Sequence, residues 1–378
     1  MKIIHIIPNL KKGGAERIVI DIVRTLNKHT SNQVKLILFE NQIEYDVDDI
    51  IPIIEIVPSN VQISLLKKTR LTISKLQKTI DLFQPDIIHT HLFEAEIVSR
   101  SCTFPKAKWF THSHDRMKSL NNLNLFAINS KRDLTNYFEK KYLLKRYQKN
   151  DGNNFIAISE DILHFLKSVL PKKFGNIQLL QNAIDVKRFE KPVDFISKKD
   201  NSVCNLISVG RLDKNKNHQF LIDVVLDLKN KNIPVHLTIV GEGDQRIALQ
   251  EKIVHLNLSH QISLVGLQEK VEAYLWNADL YIHSAITEGF GLTLVEAMAA
   301  GLPVISLNGG GNKNLIHHAE NGFIIEEQDV NLFSKSVIEL FPNKSAYEVF
   351  SKKAIDFSHQ FDITSYCDKL SSIYKKVL

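Results

Sequence analysis

The chain has 378 residues, 44% hydrophobic and 24% charged, with a formal net charge of +6. That length is more than one core usually holds, so two domains are expected, in a chain with the composition of a soluble globular protein. The three cysteines, Cys102, Cys204 and Cys367, are odd in number and far apart, which argues against a disulfide framework or a cysteine zinc site and suits a reducing cytoplasm. The mild basicity, with a pI near 8.9, admits anionic substrates, anionic lipid or nucleic acid and selects none of them.

The apolar opening Met1 to Ile7 is too short for a signal-peptide core and is ended by Pro8, so it is expected to be a buried strand. No run approaches the roughly 18 apolar residues of a membrane helix, and the Ile-rich stretch at 50–57 is broken by Pro52 and Glu55. Ile3 to Ile7 has the continuous apolar character of a strand inside a parallel sheet. Gly13 and Gly14 then precede a helical spacing of Ile18, Val19, Ile22, Val23 and Leu26. A strand, a paired-glycine turn and a helix open a βαβ unit whose backbone a ligand can approach closely.

Val34 to Phe39 is expected as the second strand and Val61 to Leu65 as a third. Leu71, Ile73, Leu76, Ile80 and Phe83 mark a helix. Pro85 to His91 is a strand ending in His89 and His91, which at i and i+2 share a face. Trp109 to Asp115 repeats the pattern with His112 and His114. Ligands in open α/β sheets collect at the carboxyl ends of strands. Four such histidines suggest metal at first sight.

Ser130 to Lys149 carries seven Lys or Arg against Asp133 and Glu139, interleaved with Tyr137, Phe138, Tyr142 and Tyr147. Such a basic, aromatic, helical stretch fits either an ordinary solvated helix or contact with an anionic membrane face. Phe155 to Ile158 restarts the strand-then-helix rhythm, with Ser159 as N-cap. A Lys- and Asp-rich linker spans about 190 to 202.

In the second half, Val203 to Val209 is a buried strand, and its loop Gly210 to Asn217 carries Arg211 and Lys216, two cations spaced to reach one anion. Gly241 and Gly243 make a turn after the strand ending at Val240, and Ile262 to Gly266 is another strand. Leu280 to His283 leads into Thr287-Glu288-Gly289-Phe290-Gly291-Leu292-Thr293, and Glu296 follows about one turn into a helix that Gly301-Leu302-Pro303 stops. Two acids thus flank a glycine turn at a helix N-terminus, where free N–H groups carry roughly +0.5 charge and suit a phosphate. Gly309-Gly310-Gly311 reads as a flexible turn, and the chain from Asp329 as helices to its end.

Glu288 and Glu296 with the turn between them resemble the E-x7-E signature of retaining glycosyltransferases of the two-domain GT-B fold, most closely glycosyltransferase family 4. Gly13-Gly14-Ala15-Glu16-Arg17 and the Ser208-Val209-Gly210-Arg211-Leu212 loop with Lys216 agree, as does the Asn182-Ala183-Ile184-Asp185 segment, in which Ala183 replaces the family's usual glycine. The resemblance implies an α/β fold of two Rossmann-like domains facing across a cleft. The expected acceptor-binding domain is 1–190, with a C-terminal helix, about 362–378, docking back onto it. The expected nucleotide-sugar domain is 191–361.

The implied activity is hexosyl transfer from a UDP- or GDP-linked sugar to a hydroxyl of a glycan or lipid-linked acceptor, with retention, in surface polysaccharide biosynthesis. The implied roles are these: Arg211 and Lys216 hold the diphosphate with the backbone of Gly289, Phe290, Gly291, Leu292 and Thr293. Gly13 and Gly14 face diphosphate and acceptor, Gly266 lies near the nucleobase, Glu296 binds ribose, Glu288 orients the donor sugar and His112 contacts it. The resemblance implies no cofactor and no metal, no nucleic-acid partner, and a cytoplasmic protein that is peripheral on the inner membrane face if 130–149 touches lipid. A GT-B nucleotide-sugar epimerase, a retaining phosphorylase and a non-catalytic subunit of a glycosyltransferase pair remain as alternatives. Paired carboxylates also occur in glycoside hydrolases, but here both lie beside a phosphate-ready helix.

Overall fold

The computed structural model describes all residues except 29–30, 64–68, 122–127, 150–151, 198–201 and 342. Its strands are β1 (Lys2–Ile7), β2 (Gln33–Leu38), β3 (Ile54–Ile56), β4 (Asn60–Gln62), β5 (Arg70–Thr72), β6 (Ile87–His91), β7 (Lys108–Ser113), β8 (Asn153–Ala157), β9 (Asn176–Leu179), β10 (Cys204–Val209), β11 (Val235–Val240), β12 (Ile262–Gly266), β13 (Leu280–His283), β14 (Val304–Leu307) and β15 (Gly322–Ile325). The α-helices are α1 (Gly14–Lys28), α2 (Ser74–Phe83), α3 (Leu92–Ser99), α4 (Lys131–Lys149), α5 (Glu160–Val169), α6 (Val186–Phe189), α7 (His218–Asn230), α8 (Arg246–His255), α9 (Val271–Leu275), α10 (Leu292–Ala299), α11 (Val330–Leu340), α12 (Lys344–Ser358) and α13 (Ile363–Val377).

Two compact units result: Met1–Ala183 with Ile363–Leu378, and Ile184–Asp362. The division falls at 183/184, a little before the 190/191 boundary that the sequence suggested, because Ile184 already bonds the Phe361 carbonyl and α6 packs on α10. Part of the expected linker, 198–201, lies outside the described residues.

The first unit holds a seven-stranded parallel sheet in the order β3-β2-β1-β6-β7-β8-β9. Its central strands β1, β6, β7 and β8 are buried on both faces, so they lack the in–out alternation of a half-exposed strand. The third strand of this sheet is Ile54–Ile56, paired with β2, and not Val61–Leu65. Val61 lies instead in β4, antiparallel to β5, and residues 64–65 are outside the described set. The Ile-rich stretch was legible as apolar, but Pro52 hid its strand: Pro52 sits in a 3-10 turn before β3 begins. Helix α2 starts at Ser74, since Leu71 belongs to β5. Helix α13 packs against α1, burying Tyr366, Leu370, Ile373 and Tyr374 in the same cluster as Ile18, Ile22 and Leu26, while Leu378 is exposed.

Against strands β6, β7 and β8 lies a fully buried ion pair. Arg100 donates to Glu96 at 2.8 Å, to Asn153 at 2.6 Å and to Thr111 at 3.1 Å, and its guanidinium lies 4.8 Å from the Trp109 ring and 4.9 Å from that of Tyr147. Thr90 and Thr111 donate to the same carboxylate. The basic segment forms α4, with Lys131, Arg132, Lys141, Lys145 and Lys149 exposed and Leu143 and Tyr147 buried. The expected cap is present, as Ser159 accepts from the Ile162 N–H.

The second unit is a six-stranded parallel sheet in the order β12-β11-β10-β13-β14-β15. Each sheet reverses its strand order once, at β1/β6 and at β10/β13, and such reversals open a crevice at the strands' carboxyl ends. Arg100→Ala would leave the Glu96 carboxylate buried without its cation. Chemical denaturation is expected to show a loss of about 3–5 kcal/mol; a loss below 1 kcal/mol would mean that water reaches the carboxylate.

Candidate functional site

At the β10/β13 reversal two loops are laced together. The β10 loop brings Lys216, and the β13 loop brings Glu288. The Asn215 side chain accepts from the Thr287 N–H (3.1 Å) and hydroxyl (2.6 Å) and donates to its carbonyl (2.8 Å). Ser284 donates to the Lys216 and Asn217 carbonyls. Lys216 Nζ then meets Glu288 Oε2 at 2.6 Å, and His283 Nε2 meets the same oxygen at 3.2 Å. Both partners of the ion pair are largely withdrawn from water, Lys216 being 20% and Glu288 14% exposed.

Burial alone would raise the Glu288 carboxyl, but the His283 hydrogen bond and the Lys216 charge outweigh it and hold it below the ordinary carboxylate range. His283 is pushed the other way: burial lowers its pKa, with Glu288 opposing, so the neutral ring donates Nε2–H. Behind it, buried His218 is lowered to about 4 by burial and by the neighbouring His283 and Lys216. Arg211 behaves differently. Its side chain is 74% exposed and meets Asp213 at 3.2 Å.

Gly289, Phe290 and Gly291 carry the turn into α10. Gly291 has φ 104°, which a side chain would strain. The Leu294 and Val295 N–H groups turn back to its carbonyl, so those of Leu292 and Thr293 stand ahead of the helical ladder. Phe290 is buried against Phe361, so only its backbone is available here. Glu296 lies on the second turn, partly buried, and its charge reaches buried Tyr281. The Gly309-Gly310-Gly311 turn is no free hinge. The Glu288 N–H donates to the Gly309 carbonyl at 2.7 Å and the Gly311 N–H to the Glu288 carbonyl at 2.9 Å, and a Cβ on Gly311 would stand 2.2 Å from the Gly289 oxygen. Gly266 ends β12 with φ 75°. Gly241 is more than a turn residue, since a Cβ there would stand 1.9 Å from the Gly210 carbonyl, next to the Arg211 loop.

In the first unit Gly13 and Gly14 do open α1, and the Tyr45 hydroxyl pins the turn by bonding both the Gly13 N–H (3.0 Å) and its carbonyl (2.8 Å). The four expected histidines become five. His5 is paired in register with His89, and His91 with His112. The rings form a packed array in which His5 Nδ1 meets His91 Nε2 at 2.9 Å, His91 Nδ1 meets His114 Nε2 at 3.0 Å, and His89 Nδ1 meets the Tyr374 hydroxyl at 2.5 Å. His112 stacks on His114 with centroids 4.2 Å apart. Burial lowers His5 and His114 to about 3, and burial with neighbouring histidines lowers His89, His91 and His112 as well. Asn182 lies beside His112 and opposes that shift, yet neither His112 nitrogen reaches a partner in hydrogen-bond geometry. Two triads, His5–His89–His91 and His91–His112–His114, each bring ligand nitrogens within 4.8 Å of one another.

His283, Asn215, Ser284 and His5 were not singled out from the sequence. His283 sits in an apolar strand, and its contact with Glu288 depends on how sharply the following loop turns back. His5 was hidden inside an isoleucine run; its one signal was its place two residues before the end of an apolar strand, as for His89.

Two Rossmann-like parallel-sheet units, the second with a cation–carboxylate pair before a helix N-terminus, define the class of GT-B glycosyltransferases. The family comparisons agree. The Glycosyltransferase Family 4 pattern matches residues 12–188 and the Glycosyl transferases group 1 pattern matches 190–357, and the chain belongs to this glycosyltransferase family. It is 26% identical over 372 residues, covering 94% of each chain, to the N-acetylgalactosamine-N,N'-diacetylbacillosaminyl-diphospho-undecaprenol 4-alpha-N-acetylgalactosaminyltransferase of Campylobacter jejuni. It is 24% identical to the UDP-Gal:alpha-D-GlcNAc-diphosphoundecaprenol alpha-1,3-galactosyltransferase of Escherichia coli, covering 82% of this chain and 80% of that one. Among solved structures, Anabaena Alr3699/HepE in complex with UDP-glucose has the same fold, with a TM-score of 0.78 at 20% identity over 100% of both chains.

The histidine array makes stability pH-dependent. The folded chain keeps His5 and His114 neutral down to about pH 3, whereas the unfolded chain binds their protons below the ordinary value of 6.5. The unfolded state therefore holds more protons in that window, and stability falls with falling pH by about 1.4 kcal/mol per pH unit for each such histidine. Thermal unfolding in EDTA is expected to show a midpoint that drops steadily from pH 7 to pH 4, with a shallower slope for His114→Gln; a flat midpoint would contradict the burial of these rings.

Proposed function

We propose that this glycosyltransferase moves a sugar, with retention of anomeric configuration, from a nucleoside-diphosphate sugar to a hydroxyl of a lipid-linked glycan. The observation that carries the reading is the Lys216–Glu288–His283 cluster at the N-terminus of α10. The two diphosphoundecaprenol-directed relatives support the acceptor class, and the UDP and UDP-glucose complexes of HepE support a uridine donor.

In this reading the bond from the anomeric carbon to the diphosphate oxygen breaks with its electron pair leaving on the diphosphate. The acceptor oxygen bonds to the same carbon, and its proton passes to a diphosphate oxygen. Lys216, exposed Arg211 and the Leu292 and Thr293 N–H groups stabilise the charge that develops, which is electrostatic catalysis by groups already in place. Glu288 accepts from a donor-sugar hydroxyl and Glu296 from the ribose, while the Gly266 turn lies along the nucleobase. His112, Gly13 and Gly14 keep the roles that the family resemblance implies. No cofactor and no metal enters the chemistry, because two cations and a helix end balance the diphosphate.

Lys216→Ala is expected to lower kcat/KM by about 10²- to 10³-fold, as loss of a transition-state donor does, and Glu288→Ala to lower it comparably, with wild-type activity surviving EDTA. Full activity of Glu288→Ala on the right substrates, or EDTA loss restored by Mn(II), would overturn the assignment.

A further inference from the structure

We propose that the histidine array of the first unit is a binding site for a borderline divalent transition-metal ion of the Zn(II) type, with His91, His112 and His114 as its protein ligands. The three rings come from the end of β6 and the end of β7, adjacent strands held in register by His91 opposite His112. Their ligand atoms lie within 4.8 Å of one another, and the closest pair, His91 Nδ1 and His114 Nε2, is 3.0 Å apart. Two nitrogens on one tetrahedral zinc, at Zn–N of about 2.0–2.1 Å, stand about 3.3 Å apart. The His91–His114 pair is already near that spacing, while the stacked His112 and His114 rings must rotate for both lone pairs to point at one ion.

Two features favour metal over a merely packed core. The first is unpaired polarity: both nitrogens of His112 are buried without a hydrogen-bond partner, a costly state that a metal relieves for the nitrogen whose lone pair it takes. The second is an orienting partner. When His91 donates Nε2–H to His5 Nδ1, its Nδ1 is left with the lone pair that faces His114, which is the arrangement by which outer hydrogen bonds set a ligand histidine's tautomer. His114 is the one partly exposed ring of the triad. A site of three imidazoles without a carboxylate suits Zn(II), Co(II), Ni(II) or Cu(II) and gives Mg(II) or Mn(II) little to hold.

The consequence for activity rests on the reading of His112 given under the proposed function. An ion held by His112 takes that side chain out of contact with the donor sugar, so the same metals would inhibit a reaction that needs none.

Tag-free protein, stripped with EDTA and dialysed, would be titrated with Co(II) and Zn(II) at pH 7.5 and followed by elemental analysis and visible absorption. The expected result is one ion per chain, with the intense visible bands of low-coordinate Co(II), displaced by Zn(II) and unaffected by excess Mg(II). His114→Gln, at the partly exposed position, is expected to bind Co(II) at least about tenfold more weakly, and His91→Gln likewise if it folds. A stripped wild-type protein that takes up no Co(II) or Zn(II), or a His114→Gln variant that binds as wild type does, would overturn the site. In a transfer assay, Zn(II) should inhibit the wild type reversibly and His114→Gln at least about tenfold less effectively. Metal binding without inhibition would retain the site and count against the role of His112. A chain without transferase activity that still binds one Co(II) would count against the proposed function alone.

Discussion

The contact between Lys216 and Glu288 organises the second unit's strand ends. It is made between loops that follow different strands, and it persists because Asn215, Ser284 and the Gly309–Gly311 turn fix both backbones first. A buried ion pair is poor evidence of stability, since removing two charges from water costs about as much as their attraction returns. Its value here is positional. With His283 on the same oxygen, Glu288 stays ionised and aimed, and under the proposed function Lys216 stays where an incoming diphosphate would replace the carboxylate as its partner. The free protein thus carries a provisional neutralisation of the charges that the donor would satisfy.

The first unit uses buried polarity in two contrasting ways. Around Arg100 each guanidinium nitrogen donates to a side-chain oxygen, and the aromatic faces of Trp109 and Tyr147 complete its surroundings. A few strand positions away the histidine array leaves ring nitrogens without partners. The array's unpartnered nitrogens lie at the strand-order reversal, where ligands of such sheets collect.

Much of this was legible in the sequence because the governing patterns are local. Apolar runs followed by glycine turns and helical spacing gave both parallel sheets, and Glu288, Glu296, Arg211 and Lys216 stand out by type and spacing. What was not legible depended on tertiary geometry. Val61 was read as a sheet strand and Ile54–Ile56 was not, because Pro52 lowers the apparent strand character of its neighbours although it precedes the strand. The Gly309–Gly311 turn read as flexible, yet close approach to the Glu288 backbone is why no Cβ fits at Gly311. His283 carries no local signal at all; only the return of its loop brings Glu288 over its ring.

The central claim is that Glu288 serves the sugar while Lys216 serves the diphosphate, the two being paired only in the absence of donor. Calorimetric titration of UDP into the wild type and Glu288→Gln tests it most directly. Removing the carboxylate's charge frees Lys216, so UDP should bind Glu288→Gln as tightly as the wild type or more tightly, while turnover falls. Loss of UDP affinity in step with turnover would place Glu288 at the nucleotide and contradict the account.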